Sequence, residues 1–152
     1  MANKSILLVD DNRNDVLLTQ RAIKKNNIAN DVVVASDGEE ALDYLFCRGK
    51  YADRDVTCDP PVVVLLDLKM PRVDGLETLK QIRENPNTKN LPVVMLTSSK
   101  EDTDVLQSYN LGCNAYVRKP VEFNQFAEAI KQLGLFWLVL NEPPPPDTRK
   151  AK

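Results

Sequence analysis

Val62-Val63-Val64-Leu65-Leu66-Asp67-Leu68-Lys69-Met70-Pro71-Arg72-Val73-Asp74-Gly75 decides how the rest of the chain is read. Five valines and leucines in a row, apolar at every position rather than at alternate ones, describe a strand covered on both faces. An aspartate ends the run. Pro71, Asp74 and Gly75 then mark a loop that opens a helix, with Asp74 placed to cap it. A covered strand that runs through a loop into a helix is half of a parallel crossover unit.

Outward from this stretch the same unit recurs. Short apolar runs stand at Ser5–Val9, Asp31–Val34 and Pro92–Leu96, with a fifth at Ala115–Val117. Between them the spacing of apolar residues predicts helices over 13–27, 37–49, 75–85, 101–111 and 122–140. Asp37 can cap the second helix with Glu40 reaching back, and Pro86 and Gly112 mark helix exits. The pattern predicts an α/β fold, a doubly wound five-stranded parallel sheet of order 2-1-3-4-5 with five helices. Residues 50–61 are long for a helix-to-strand connection and are expected to form an insertion or flexible loop. The domain is expected over 3–140, followed by a proline-rich flexible tail over 141–152.

Composition narrows the function. The chain has 152 residues, enough for one core, and no histidine. Without histidine there is no Ser-His or Cys-His pair, the commonest zinc ligand is missing, and any phosphohistidine must belong to another molecule. Three cysteines at irregular spacing argue against a disulfide framework and show no Cys-x-x-Cys pattern. A net charge of −2 without a basic stripe gives nucleic acid little to hold. No stretch reads as a membrane span or secretory leader, so a cytoplasmic protein is expected.

In a parallel α/β sheet, ligands gather where the strands end. Asp10 and Asp11 follow the first strand, Asp67 the third, Thr97 and Ser98 the fourth, and Lys119-Pro120 the fifth. Three clustered carboxylates call for a hard divalent cation, and oxygen ligands suit Mg2+, with Asp11 and Asp67 as its first candidates. A carboxylate can also attack phosphorus, and a cation, the Lys119 ammonium and the Thr97 hydroxyl would meet the charge of the transferring group. Singly, each residue has a plainer reading as a helix cap or solvated loop residue. Together, after successive strands, they form a set with chemical sense.

LLVDD at 7–11, LLDLKMPRVDG at 65–75, VVMLTSS at 93–99 and AYVRKP at 115–120 resemble the receiver domain of two-component response regulators. The resemblance covers about 3–140 and implies a flavodoxin-like fold. It further implies that Asp67 accepts a phosphoryl group from a sensor histidine kinase. Asp10, Asp11, Asp67 and the Lys69 backbone carbonyl would organise Mg2+, and Thr97 and Lys119 would bind the phosphoryl group. Thr97 and Tyr116 would form a switch, and the Lys119-Pro120 peptide would be cis. The sequence departs from the family's commoner patterns at Lys69, at the 50–61 insertion and in its tail.

After the fifth helix only 141–152 remain, so no separate output domain is expected. Leu133–Leu140 is apolar around the whole helix circumference, and surplus apolar surface marks an interface. Leu135, Phe136, Val139 and Leu140 are the candidate contacts of a homodimer or a docked kinase. The single receiver, the insertion and the terminal Phe-Trp-Leu run resemble small regulators that partner phytochrome-type kinases. Two rivals stand beside this reading: a phosphorylation-independent scaffold, and an aspartyl-nucleophile phosphatase. The latter lacks the second aspartate expected two residues after Asp67.

Overall fold

The structure, a computed structural model, describes residues 5–25, 31–53, 60–70, 72–97 and 101–118. Five strands, β1 (Ser5–Val9), β2 (Asp31–Ala35), β3 (Val63–Leu66), β4 (Val93–Thr97) and β5 (Ala115–Arg118), form one sheet of order β2-β1-β3-β4-β5. Every pairing is parallel, with Val9 opposite both Ala35 and Leu66, Leu66 opposite Met95, and Thr97 opposite Arg118. The helices are α1 (Arg13–Lys25), α2 (Gly38–Leu45), α3 (Gly75–Glu84) and α4 (Asp102–Asn110). Among the described residues, no helix is long and apolar enough to cross a membrane.

The unbroken apolar runs have the predicted cause. Leu7, Val9, Val64, Leu66, Val93 and Met95 pack on one face with Leu42 and Leu45 of α2 and Leu79 and Ile82 of α3. Ile6, Leu8, Val63, Leu65, Val94 and Leu96 point to the other face, with Val16 and Ile23 of α1. Alternate residues of each central strand thus feed two cores, so no position can be polar until the strand ends. The predicted fifth helix, the tail, Lys119-Pro120, and the interface residues Leu135, Phe136, Val139 and Leu140 lie outside the described residues.

The predicted caps form, with one change of partner. Asp74 accepts from Glu77 N–H at 2.9 Å and Asp37 from Glu40 N–H at 2.8 Å. Glu40 reaches back past Asp37 to Ser36, whose backbone N–H and hydroxyl both donate to Oε1.

The second helix is shorter than the predicted 37–49. It ends at Leu45, because Cys47 turns left-handed (φ 53°) and Arg48 N–H donates back to the Asp43 carbonyl. That closes the helix by a Schellman turn in which cysteine holds the place glycine usually takes. The first part of the 50–61 stretch is an ordered turn rather than a loose loop. Gly49–Tyr51 form a 3-10 turn, Tyr51 stacks edge-on against Tyr44 with ring centroids 5.1 Å apart, and its hydroxyl donates to Glu40. Cys47 is disulfide-bonded, against the expectation from cysteine spacing, whereas Cys113 is a free buried thiol. Burial pushes the Cys113 thiol up to about 11, so it stays protonated and unreactive near neutral pH.

Candidate functional site

The carboxylates of Asp10, Asp11 and Asp67 converge where adjacent strands β1 and β3 end. One oxygen from each lies within 4.8 Å of the other two. Asp10 and Asp67 are buried, and Asp11 is exposed. Backbone bonds continue the sheet by one residue to hold the two buried aspartates. Asp10 N–H donates to the Ala35 carbonyl at 3.0 Å, and Asp67 N–H donates to the Val9 carbonyl at 2.9 Å. The side chains are then turned by local donors, Asn12 N–H to Asp10 Oδ1 at 2.9 Å and Leu68 N–H to Asp67 Oδ1 at 2.8 Å.

Three like charges this close repel, and burial of two of them sharpens the penalty. A hard cation with oxygen ligands relieves both. The donor set, all carboxylate and open to water through Asp11, fits Mg2+ or Mn2+ rather than a softer metal.

Thr97 ends β4, buried, one residue beyond the level of Asp67 in the register that pairs Leu66 with Met95. Lys119 lies outside the described residues, but it follows Arg118, the partner of Thr97. Tyr116 pairs with Met95 and packs, half-buried, against the core on the α2 and α3 face. Lys69 is exposed in the β3–α3 loop. The structure thus gathers Asp10, Asp11 and Asp67 at one rim, with Thr97 on the next strand.

Two contributors escape a reading of the strand ends alone. Asn12 fixes Asp10 through its backbone and caps α1 through its side chain, which accepts from Asp15 N–H at 3.1 Å. An asparagine just before a helix was the available signal. Arg13 lines a cavity of about 330 Å³ beside the carboxylates, together with Asp10, Asp11, Leu17 and Gln20. Gly75 is needed for space. A Cβ there would stand 2.2 Å from the Asp67 carbonyl oxygen, and Gly75 N–H donates to the Leu68 carbonyl at 2.7 Å. The loop that leaves Asp67 therefore closes on its own beginning.

Comparison with known proteins agrees with this geometry. The family described as the response regulator receiver domain matches residues 6–131. Response regulator Rcp1 of Synechocystis sp. is 36% identical over 135 residues, covering 89% of each chain. A solved Mn2+-bound form of response regulator Rcp1 matches with TM-score 0.78 and 34% identity over 93% of this chain and 99% of that one. The bacteriophytochrome response regulator AtBRR is 54% identical, with TM-score 0.79, covering 93% of this chain and all of that one. The phosphorylated cyanobacterial phytochrome response regulator RcpA is 37% identical, with TM-score 0.79, covering 95% of this chain and all of that one.

Proposed function

The chain belongs to the response regulator receiver domain family, and from that premise we propose that it accepts a phosphoryl group on Asp67 from a phytochrome-type sensor histidine kinase in the cytoplasm. The observation that carries this reading is the convergence of the Asp10, Asp11 and Asp67 carboxylates at the ends of adjacent strands. Similarity to regulators of phytochromes and bacteriophytochromes supports the choice of donor. The domain is assigned to 3–140, with the proline-rich stretch 141–152 following it.

Asp10, Asp11, Asp67 and the Lys69 carbonyl hold Mg2+. When bound, the ion supplies positive charge for the peripheral oxygens of the transferring group. Asp67 is the nucleophile, oriented by the bond from Leu68 N–H to its Oδ1. Its carboxylate forms a new P–O bond as the P–N bond to the donor's histidine breaks, and the bonding pair returns to the imidazole nitrogen. Thr97 donates its hydroxyl to the phosphoryl group, and Lys119 sets its ammonium against it. Tyr116 responds to the displacement of Thr97. The protein catalyses only its own phosphorylation and dephosphorylation. It signals through protein association, with Leu135, Phe136, Val139 and Leu140 as the homodimer contacts.

The test is a transfer assay. A radiolabelled, phosphorylated phytochrome-type histidine kinase should lose its label to this protein within minutes in Mg2+, and not to an Asp67→Asn variant. Label that stays on every such kinase tried, or that passes equally well to the variant, would remove the reading.

A further inference from the structure

We propose that Arg72 and Asp37 form a positioning clamp that holds the β3–α3 loop in the shape its metal duty requires, a role that rests on the reading of Asp67 and its neighbours given above. Arg72 lies five residues after Asp67, and its guanidinium pairs with the Asp37 carboxylate. The two ends of that contact differ in kind. Asp37 has a side chain only 4% exposed and caps α2, whereas the Arg72 side chain is 63% exposed on a loop. The same guanidinium also reaches Glu39 at 3.4 Å.

Arg72 does this from an uncomfortable backbone. Its φ of 64° is left-handed, where a residue with a side chain is disfavoured and glycine is not. A position that glycine would fill more easily is held by arginine, and the ion pair is what the side chain contributes in return. The loop is also pressed onto α2 directly. A Cβ on Gly38 would stand 2.2 Å from the Val73 carbonyl oxygen, so the loop backbone lies against the first turn of α2.

Both ends of the loop are therefore fixed. Near Asp67, Gly75 N–H closes on the Leu68 carbonyl, and near Val73 the Asp37–Arg72 pair and the Gly38 contact dock it on α2. Lys69, whose carbonyl is assigned to the metal, lies between these fixed points. A carbonyl ligand cannot be adjusted by a side-chain rotation, so its place depends on the path of the loop.

Charge and positioning make opposite predictions for the loss of Arg72, which gives the test its direction. Removing a cation from the end of the sheet that carries three carboxylates would tighten Mg2+ binding if Arg72 acted through its field alone. Loss of a clamp would weaken it. Arg72→Gly suits the left-handed backbone, so the fold survives while the pair is lost. Calorimetric titration of Mg2+ into the full chain should show affinity about tenfold weaker for Arg72→Gly, with the metal-free Tm unchanged. Arg72→Lys, which keeps a cation for Asp37, should stay within about threefold of wild type. Asp37→Asn retains the cap but not the pair. Combining it with Arg72→Gly should weaken binding no further than either change alone. Binding by Arg72→Gly that equals or exceeds wild type, or a double variant in which the losses add, overturns the clamp. If the wild type binds no Mg2+, or binds it equally well as Asp67→Asn, the metal site falls and the clamp with it, an outcome distinct from the first.

Discussion

Glu40 shows how much one side chain can gather. Its carboxylate accepts from Ser36 N–H and hydroxyl on one oxygen, and from Tyr51 and Lys50 on the other. Burial alone would raise its pKa, but the bonds from Lys50, Ser36 and Tyr51 outweigh that and hold it at about 2, against an ordinary 4.5. A folded-state pKa below the unfolded one means stability that is complete above pH 4.5 and lost as pH falls towards 2. Wild type should therefore exceed Glu40→Gln by about 1–2 kcal/mol in urea denaturation at pH 6, with the difference fading between pH 4.5 and 2. Gly75 makes a second prediction at this scale. Gly75→Ala puts a methyl group 2.2 Å from the Asp67 carbonyl oxygen and should cost about 2 kcal/mol or more in the same experiment. A neutral result would mean that the Asp67 loop is less tightly closed than its hydrogen bonds imply.

Elements were legible where one local rule decided them. The two-sided strands followed from their unbroken apolar runs, and α3 followed from Asp74 and Gly75 at its start. The end of α2 was not legible, because the left-handed residue that stops it is Cys47, and no propensity favours cysteine there. The clustering of Asp10, Asp11 and Asp67 was legible because strand ends meet at one rim in this topology. Asn12 left a local signal as the residue before α1, whereas Arg72 did not, since it acts through a contact with Asp37 that appears only after folding. Arg83 is a second residue of this kind. From the last turn of α3 it donates to the Gly112 carbonyl at 2.7 Å, to the Leu91 carbonyl at 2.7 Å and to Asn114 at 3.2 Å. It thus ties α3 to the segments that enter β4 and β5. Arg83→Ala should cost about 2 kcal/mol, because the carbonyls it serves lose a charged donor. Hydrogen exchange should show the loss at β4 and β5 before β1 and β2, and uniform exchange across the sheet would count against that tie.

For the whole molecule, the proposed function joins a metal-dependent phosphoacceptor at one rim to association through the carboxyl-terminal residues. The second half predicts that Phe136→Glu combined with Val139→Glu will sediment as a monomer under conditions where wild type sediments as a dimer. An unchanged sedimentation coefficient would move the interface elsewhere. The first half is the central claim, and intact mass after incubation with acetyl phosphate and Mg2+ tests it most directly. Wild type should gain the mass of one phosphoryl group, and neither Asp67→Asn nor wild type with a chelator should gain it. A wild type that gains nothing, or a gain that survives Asp67→Asn, would contradict the account.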